Sequence, residues 1–281
     1  MRTWHLRHEI WQLPSAGGIM GILNVTPDSF SDGGQYDSVE KALHHARLMV
    51  EEGAHIIDIG GESTRPGAVS VGPEEEQRRT IPVIRALREQ YPSLRLSIDT
   101  RHAEVAAAAL QAGADIVNDI TGLADAAMRK VCAESRCGVI LMHMQGTPAT
   151  MQLAPHYNDV VAEVREFFEE RVALAEQSGI PPQHICLDPG IGFGKTTAHN
   201  LELIRHLDSL RVHDLPIMMA LSRKRFLGEI LHNPEAAKQS PLPTVCMSLL
   251  AAAHGAELHR VHDVAPLHQA LTLRRALLAP Q

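Results

Sequence analysis

Eight short apolar runs, each followed by polar or charged residues, limit the folds open to this 281-residue chain more than any other feature. Segments with apolar residues at helical spacing separate the runs. Continuous runs of Ile, Val and Leu are typical of strands buried on both faces of a parallel sheet. The runs lie near residues 18–23, 55–59, 94–98, 115–118, 138–143, 184–187, 215–221 and 257–261.

Eight strand–helix units in about 260 residues favour a (β/α)8 barrel over a doubly wound open sheet. We therefore predict an α/β protein with a single (β/α)8 TIM barrel and an active site at the C-terminal ends of the strands. No Gly/Ser/Pro-rich linker divides the chain, so residues 15–281 are predicted to form one domain. Residues 1–14, which carry Trp4 and Trp11, are predicted to be an N-terminal lead-in that covers the bottom of the barrel.

The composition excludes several classes of partner. The formal net charge is −7, which argues against a nucleic-acid partner. No apolar run reaches the roughly 18 residues that a membrane span needs, and the N-terminus has no signal-peptide pattern. The four cysteines form no C-x-x-C pair, and Cys186 and Cys246 lie in apolar runs, which predicts buried free thiols. Together these features predict a cytoplasmic protein without a membrane partner.

The residues that end the eight runs are the candidate site. All strand ends of a (β/α)8 barrel point to one face, so residues scattered over 240 positions converge there. A single Asp or Asn at a strand end can equally be a helix N-cap, but a polar residue at every end is harder to explain in that way. The ends are Asn24, Asp58, Asp99, Asn118 with Asp119, His143, Asp188, Ser222 to Arg225, and Arg260 with His262 and Asp263.

The charges at these ends indicate a ligand with two chemically different parts. Basic residues follow the last two strands, where such barrels commonly bind phosphate, although a surface charge cluster is the alternative and Arg225 fits it. Asp99, Asn118 and Asp188 are predicted to line the centre of the mouth, where buried carboxylates need hydrogen-bond donors. A flat nitrogen heterocycle would supply such donors.

Taken together, the ordered motifs resemble the dihydropteroate synthase family of pterin-binding TIM barrels. The resemblance runs from about Gly18 to Val264. One departure is Ala220, where family members usually carry Gly two residues before the Ser-Arg-Lys motif. The matching segments are residues 21–34 (GILNVTPDSFSDGG), 60–67 (GGESTRPG), 97–100 (SIDT), 117–120 (VNDI), 141–146 (LMHMQG), 187–195 (LDPGIGFGK), 222–224 (SRK) and 260–264 (RVHDV).

The resemblance implies an activity. Members of the family join 6-hydroxymethyl-7,8-dihydropterin pyrophosphate to p-aminobenzoate in folate biosynthesis, and they release pyrophosphate and 7,8-dihydropteroate. They use Mg²⁺ and are the target of sulfonamides. A homodimer is expected from the family and from the Ala/Leu-rich segment 245–254, although that segment could equally belong to the barrel core.

The resemblance also implies roles for individual residues. The implied catalytic residues are Asp99, Asp188, Lys224, Arg260 and His262. The implied pterin site comprises Asp99, Asn118, Met142, Asp188 and Lys224. The implied pyrophosphate site comprises Asn24, which is also the Mg²⁺ ligand, with Thr64, Arg65, Arg260 and His262. The implied p-aminobenzoate pocket comprises Phe30, Thr64, Pro66, Phe193 and Ser222, and Lys224 adjoins it.

Two other interpretations fit part of the pattern. A methyltetrahydrofolate methyltransferase module could share the acidic pterin site, but it would not need the Arg260 and His262 anchor or the loop of Ser222 to Lys224. A catalytically silent barrel could bind a pterin or serve only as a scaffold. The presence of Asn24, Asp99, Lys224 and Arg260 argues against the silent barrel.

Overall fold

A computed structural model describes residues 2–26, 35–62, 71–147 and 150–279, without the side chains of 35–38. Within these ranges, two short 3₁₀ helices, Pro182–His184 and Leu207–Leu210, accompany the strands and helices. The strands are β1 (Thr3–His5), β2 (Ile10–Gln12), β3 (Gly18–Asn24), β4 (Ile56–Gly60), β5 (Arg95–Asp99), β6 (Ile116–Asp119), β7 (Gly138–Met142), β8 (Ile185–Asp188), β9 (Met218–Met219) and β10 (Leu258–Val261). The helices are α1 (Gln35–Glu51), α2 (Pro73–Gln90), α3 (Ala103–Ala112), α4 (Ala126–Ser135), α5 (Val160–Gln177), α6 (Thr197–Arg205), α7 (Arg225–Ile230), α8 (Ala236–Gln239), α9 (Leu242–Ala253) and α10 (Val264–Leu278).

Strands β3 to β10 form one eight-stranded parallel sheet in the order β8-β7-β6-β5-β4-β3-β10-β9. The two ends of this order meet at a parallel bridge between Leu187 and Ile217, where the Leu187 amide donates to the Pro216 carbonyl at 2.8 Å. The sheet therefore curls into a barrel that this single bridge closes. The prediction of a (β/α)8 TIM barrel is confirmed.

The seventh barrel strand is shorter than the sequence predicts. The apolar run spans 215–221, but the ladder to β10 covers only Met218 and Met219. Pro216 carries no N–H group and cannot donate to a neighbouring strand, which limits pairing at the start of the run. The residues after Met219 leave the ladder and lead directly to Ser222.

The alternation of side chains along the strands decides which residues face the barrel interior. Met20, Ile56, Ile116, Ile140, Cys186, Met218 and Leu258 share one apolar cluster at the amino-terminal end of the barrel, so these positions point inward. Side chains of a strand alternate between faces with a period of two, so the residues two and four positions further along also point inward. The inward set at the opposite end is Asn24, Asp58, Asp99, Asn118, Met142, Asp188 and Arg260.

The N-terminal residues form a β-hairpin on the barrel. Strands β1 and β2 pair antiparallel, with Trp4 opposite Trp11, and both tryptophans join the apolar cluster at the amino-terminal end. The Trp4 indole Nε1 donates to the His184 carbonyl at 2.8 Å. The segment therefore packs against the amino-terminal end of the barrel. Its description as a separate lead-in that ends at residue 14 stays a prediction.

The helices pack their apolar sides on the outside of the sheet. Helix α5 illustrates the local reasons: the Asp159 carboxylate accepts hydrogen bonds from the amides of Val161 and Ala162 at 3.0 Å, and Val164, Phe168 and Val172 form its buried stripe. The prediction of buried thiols holds for Cys186 but is wrong for Cys246, which is exposed on α9 because this helix buries only one of its faces.

Candidate active site

A charged network of Asp58, Asp99 and Arg260 occupies the carboxyl-terminal mouth of the barrel. Arg260 Nε donates to Asp58 Oδ2 at 2.6 Å, and its Nη2 donates to Asp99 Oδ2 at 2.7 Å. Asn118 Nδ2 also donates to Asp58 Oδ2 at 3.1 Å. One guanidinium and one amide thus converge on carboxylates from β4 and β5. The structure brings Asp99, Asn118 and Arg260 together as the sequence predicts.

Asp58 is a site residue to which the sequence reasoning gave no role. It has no exposed surface and lies at the centre of the network. The sequence does contain a signal for Asp58. Side chains of a strand alternate between its two faces, and Asp58 follows the inward-facing Ile56 by two positions, so it also points inward. Asp58 positions Arg260 and Asn118, so those side chains present their remaining polar atoms to the mouth.

Asn24 lies beside this network at the end of β3. Its Oδ1 atom and Asp99 Oδ2 both lie 3.8 Å from the position that a Cβ atom on Gly60 would occupy. The amide oxygen is a hard ligand of the kind that Mg²⁺ prefers, and Mg²⁺ sites typically use one or two protein oxygens completed by substrate phosphates and water. Asn24 and its carboxylate neighbour fit such an incomplete site, which a pyrophosphate group would complete.

Asp188 ends β8 on the opposite side of the mouth. Its Oδ1 accepts the Gly190 amide at 2.8 Å, in a turn where Gly190 has a positive φ of 64°. A Cβ atom at Gly190 would lie 1.9 Å from the His143 carbonyl oxygen, so only glycine fits there. Burial raises the pKa of Asp188, while the Gly190 amide and the nearby Lys224 charge favour the ionised carboxylate.

Lys224 interacts electrostatically with Asp188 and contacts an aromatic ring. Its Nζ lies 4.3 Å from the centroid of the Phe193 ring, a cation–π arrangement. Burial lowers the pKa of Lys224 to about 8, and the Asp188 carboxylate opposes this shift. Phe193 itself joins Ile120, Met142 and Met151 in a small apolar cluster, so the predicted Met142 and Phe193 form an apolar wall beside the charged groups.

Ser222 and His262 are brought together at the ends of β9 and β10. Ser222 Oγ and His262 Nδ1 are 2.9 Å apart, and the His262 amide donates to the same hydroxyl at 3.2 Å. Ser222 therefore fixes the orientation of the imidazole. Arg223 has a positive φ of 57° and pairs with Asp263 at 2.9 Å on the rim. Arg225 is an exposed partner of Glu229, as the interpretation of a solvated neighbour predicts.

Lys195 is a second residue whose role the sequence did not reveal. Its buried Nζ lies 2.8 Å from His143 Nδ1, and it donates to the carbonyls of Phe193 and Gly190 at 3.0 and 3.1 Å. It thereby holds the turn that carries Asp188 and Phe193. Burial lowers the pKa of Lys195 to about 7, and it also lowers the pKa of His143 to about 3, with the Lys195 charge adding to that shift.

The free energy of unfolding is expected to rise between pH 7 and about pH 10. The pKa of Lys195 is lower in the folded than in the unfolded chain, so over this window the unfolded chain binds more protons and stability increases with pH. Replacing Lys195 with Met should reduce the slope by up to about 1.4 kcal/mol per pH unit. Lys224 contributes with the same sign and remains in the variant. Urea unfolding at several pH values measures the slopes.

The matched control for Lys195→Met is Lys130→Met, because Lys130 is an exposed lysine on α4. Its slope should equal that of the unmodified chain. If Lys195→Met and the unmodified chain have equal slopes, the buried amine does not exchange its proton on unfolding in this range.

Four predicted site residues, Phe30, Thr64, Arg65 and Pro66, lie outside the described residues. They belong to the segments that follow β3 and β4, both of which end at the mouth. Their implied roles toward p-aminobenzoate and pyrophosphate therefore stay predictions.

Comparison with known proteins places this geometry in a family. The family model described as "Pterin binding enzyme" matches residues 20–262. Dihydropteroate synthase from Synechocystis sp. is 48% identical over 260 residues, which cover 92% of this chain and 89% of that protein. The same enzyme from Escherichia coli K12 is 44% identical over 261 residues, which cover 93% and 92%.

Three solved structures of similar proteins contain small-molecule ligands. Xanthomonas albilineans dihydropteroate synthase with 4-aminobenzoic acid superposes with a TM-score of 0.87 at 48% identity, over 94% of each chain. The same enzyme with 7,8-dihydropteroate gives 0.88 at 44% identity, over 99% of this chain and 100% of that one. A Yersinia pestis dihydropteroate synthase with a sulfonamide drug gives 0.90 at 41% identity, over 98% of each.

Proposed function

The chain belongs to the pterin binding enzyme family, and from this premise we propose that it is a dihydropteroate synthase. It condenses 6-hydroxymethyl-7,8-dihydropterin pyrophosphate with p-aminobenzoate to give 7,8-dihydropteroate and pyrophosphate, a transferase reaction of folate biosynthesis. The proposal rests on one observation: the barrel mouth contains two chemically different groups of side chains. Acidic and amide groups for a nitrogen heterocycle lie at its centre, next to Arg260 and His262 for an anion.

The central groups match the hydrogen-bonding edge of a pterin. Asp99 and Asp188 offer carboxylate oxygens to ring N–H groups, and Asn118 offers both a donor and an acceptor. Met142 and Phe193 supply the apolar wall for the ring faces. Burial raises the pKa values of Asp99 and Asp188, while Arg260 opposes the shift at Asp99. A heterocycle that donates to these oxygens would further favour the ionised carboxylates.

The reaction breaks the C–O bond between the pterin methylene and pyrophosphate, and the electron pair leaves with the oxygen. Arg260 and His262 stabilise the departing negative charge, while the carboxylates of Asp99 and Asp188 stabilise the positive charge left on the pterin. The neutral arylamine then forms the new C–N bond and loses a proton to solvent. No general base is needed at its nitrogen, so catalysis consists of positioning and electrostatic stabilisation.

Mg²⁺ is part of the proposal as the cofactor, with Asn24 as its protein ligand. When bound, the ion supplies positive charge that neutralises the leaving pyrophosphate. The support from this chain is the placement of the Asn24 amide oxygen beside Asp99 at the end of β3, next to the proposed anion site.

Pyrophosphate release that requires both substrates tests the proposal. The purified chain with Mg²⁺ should release pyrophosphate only when the pterin pyrophosphate and p-aminobenzoate are both present, and 7,8-dihydropteroate should appear in equal amount. A sulfonamide should compete with p-aminobenzoate. A folded protein that shows no release under these conditions would refute the synthase assignment. Methyl transfer from methyltetrahydrofolate would instead favour the methyltransferase alternative.

Phe30→Ala tests the proposed contact with the second substrate. Loss of one aromatic contact is expected to raise the KM for p-aminobenzoate at least about fivefold, because aromatic pairs add roughly 1 kcal/mol to the burial of their area. The Kd for the pterin pyrophosphate, measured by calorimetry without p-aminobenzoate, should stay unchanged. An equal loss of affinity for both substrates would contradict a role confined to the p-aminobenzoate pocket.

A homodimer is part of the same proposal. Helices α9 and α10 pack against each other and expose Leu242 on α9 together with Leu273 and Leu277 on α10. Contiguous exposed apolar surface is typical of protein interfaces, and these leucines are the residues proposed to contribute to it. Sedimentation at several protein concentrations measures the oligomeric state.

We also propose a cytoplasmic location, which is supported by the four free cysteines. Within the described ranges, no helix is both long and apolar enough to cross a membrane.

A further inference from the structure

Glu62, Glu76 and His102 form a group that the synthase function does not use. One ligand atom from each residue lies within 4.8 Å of the corresponding atoms of the other two. The three residues come from separate elements: Glu62 follows β4, Glu76 lies in the first turns of α2, and His102 directly precedes α3. The fold, not a local sequence motif, brings them together.

Two side chains of this group carry buried polar atoms without a hydrogen-bond partner. Glu76 has no exposed surface, and neither of its carboxylate oxygens has a partner among the described residues. His102 Nε2 is also buried without a partner there. Buried polar atoms without partners are rare in native proteins because desolvation is not compensated, and a bound ion is one of the standard explanations.

The surrounding packing holds Glu76 at this position. A Cβ atom on Gly61 would lie 3.0 Å from Glu76 Cγ and 2.8 Å from Thr80 Cγ2, so the glycine allows α2 to approach the end of β4 closely. The Thr80 hydroxyl donates to the backbone carbonyl of Glu76 at 2.8 Å. This hydrogen bond does not involve the Glu76 carboxylate.

The other two members of the group are also fixed. The Val71 amide donates to Glu62 Oε1 at 3.3 Å. The His102 amide donates to the Thr100 hydroxyl at 3.1 Å, which orders the backbone before α3.

We propose that Glu62, Glu76 and His102 bind a divalent transition-metal cation of the Zn²⁺ class. An imidazole nitrogen and carboxylate oxygens are ordinary Zn²⁺ ligands, and three protein ligands leave a fourth position for water. The two carboxylates balance the charge of the ion. Its ligation would provide partners for the buried oxygens of Glu76 and for His102 Nε2, and it would tie the end of β4 to α2 and to the start of α3.

The charged and polar groups around Glu76 influence its protonation. Burial raises the pKa of Glu76 to about 7, and the carboxylates of Asp99 and Glu62 add to the shift. The Thr100 hydroxyl and the Arg101 charge oppose this shift. A metal ion would displace the proton from Glu76 on binding.

Arg101 is the nearby cation that competes with a metal ion. Its Nε and Nη2 atoms each donate to Glu62 at 3.2 Å. A bound ion must share the Glu62 carboxylate with this guanidinium or displace it. Removing the charge with Arg101→Gln should therefore strengthen metal binding.

Metal binding by the full-length chain tests the proposal. The chain is treated with a chelator, dialysed free of it and titrated with Zn²⁺ in the absence of both substrates, and Co²⁺ serves as a spectroscopic substitute. We expect one equivalent of Zn²⁺ to bind, with visible Co²⁺ absorption bands typical of four-coordinate geometry. Glu76→Gln and His102→Ala should each weaken binding by at least tenfold, and Arg101→Gln should tighten it.

The matched control is Glu74→Gln, an exposed glutamate two residues from Glu76 on the same helix, which should bind Zn²⁺ like the unmodified chain. Thermal melting of each variant without metal confirms folding, and His102→Ala serves as the second variant if Glu76→Gln is unstable. The proposal is overturned by absence of stoichiometric binding, or by equal binding in Glu76→Gln, His102→Ala and the unmodified chain. Loss of binding in Asn24→Ala alone would also overturn it. None of these readouts depends on synthase activity.

Discussion

Arg260→Met is expected to destabilise the barrel by about 3–5 kcal/mol, because it leaves the two carboxylates that Arg260 pairs with uncompensated. Asp58 has no exposed surface, and no other guanidinium among the described residues donates to its side chain. The same change should abolish pyrophosphate release, because it removes positive charge from the proposed leaving-group site. Urea unfolding and the two-substrate assay measure the two effects.

A second variant separates the structural from the catalytic effect of Arg260. The double variant Asp58→Asn/Arg260→Met removes one of the two buried negative charges together with the guanidinium that pairs with it. Part of the stability lost in Arg260→Met should therefore return, whereas pyrophosphate release should stay absent. Arg225→Met, on the exposed surface of α7, is the control and should change neither property. A loss of less than 1 kcal/mol in Arg260→Met would show that the barrel mouth tolerates both carboxylates without the guanidinium.

Asp188→Asn is expected to lower kcat/KM by at least about 100-fold, mainly through lost affinity for the pterin pyrophosphate. The Asp188 carboxylate is proposed to accept hydrogen bonds from N–H groups of the pterin ring. An asparagine amide group would instead place a donor against these N–H groups, and the unpaired buried donors would cost binding free energy. The fold should persist, because the asparagine carbonyl can still accept the Gly190 amide and burial of a neutral amide costs less than burial of a carboxylate.

Calorimetric titration with the pterin pyrophosphate measures the affinity of Asp188→Asn. The variant should also titrate Lys224 at a lower pH, because the Asp188 carboxylate favours the charged amine. The control is Asp208→Asn, which changes an exposed carboxylate in the 3₁₀ helix Leu207–Leu210. This variant should bind the pterin pyrophosphate with the same affinity as the unmodified chain. Unchanged affinity in Asp188→Asn would remove this carboxylate from the pterin site.

The order of elements could be predicted from the sequence because each barrel strand is a continuous apolar run. Seven of the eight runs match the strand bounds to within one residue, and the remaining run, 215–221, gives a strand of only two residues after Pro216. The main site residues could be predicted for the same reason, since they are the first polar residues after the runs. Cys246 was predicted wrongly because an Ala/Leu-rich helix does not reveal which of its faces is buried.

The sequence by itself therefore determined the barrel and the residues at its mouth, because strand burial and strand ends leave local patterns in a chain. Only the tertiary structure decided which of these residues pair. The contact between Arg260 and Asp58 joins positions 202 residues apart, and Lys195 reaches His143 across 52 positions. The group of Glu62, Glu76 and His102 arises in the same way. Such contacts depend on barrel closure and on the packing of helices against the sheet, which fix distances between residues that no local pattern relates.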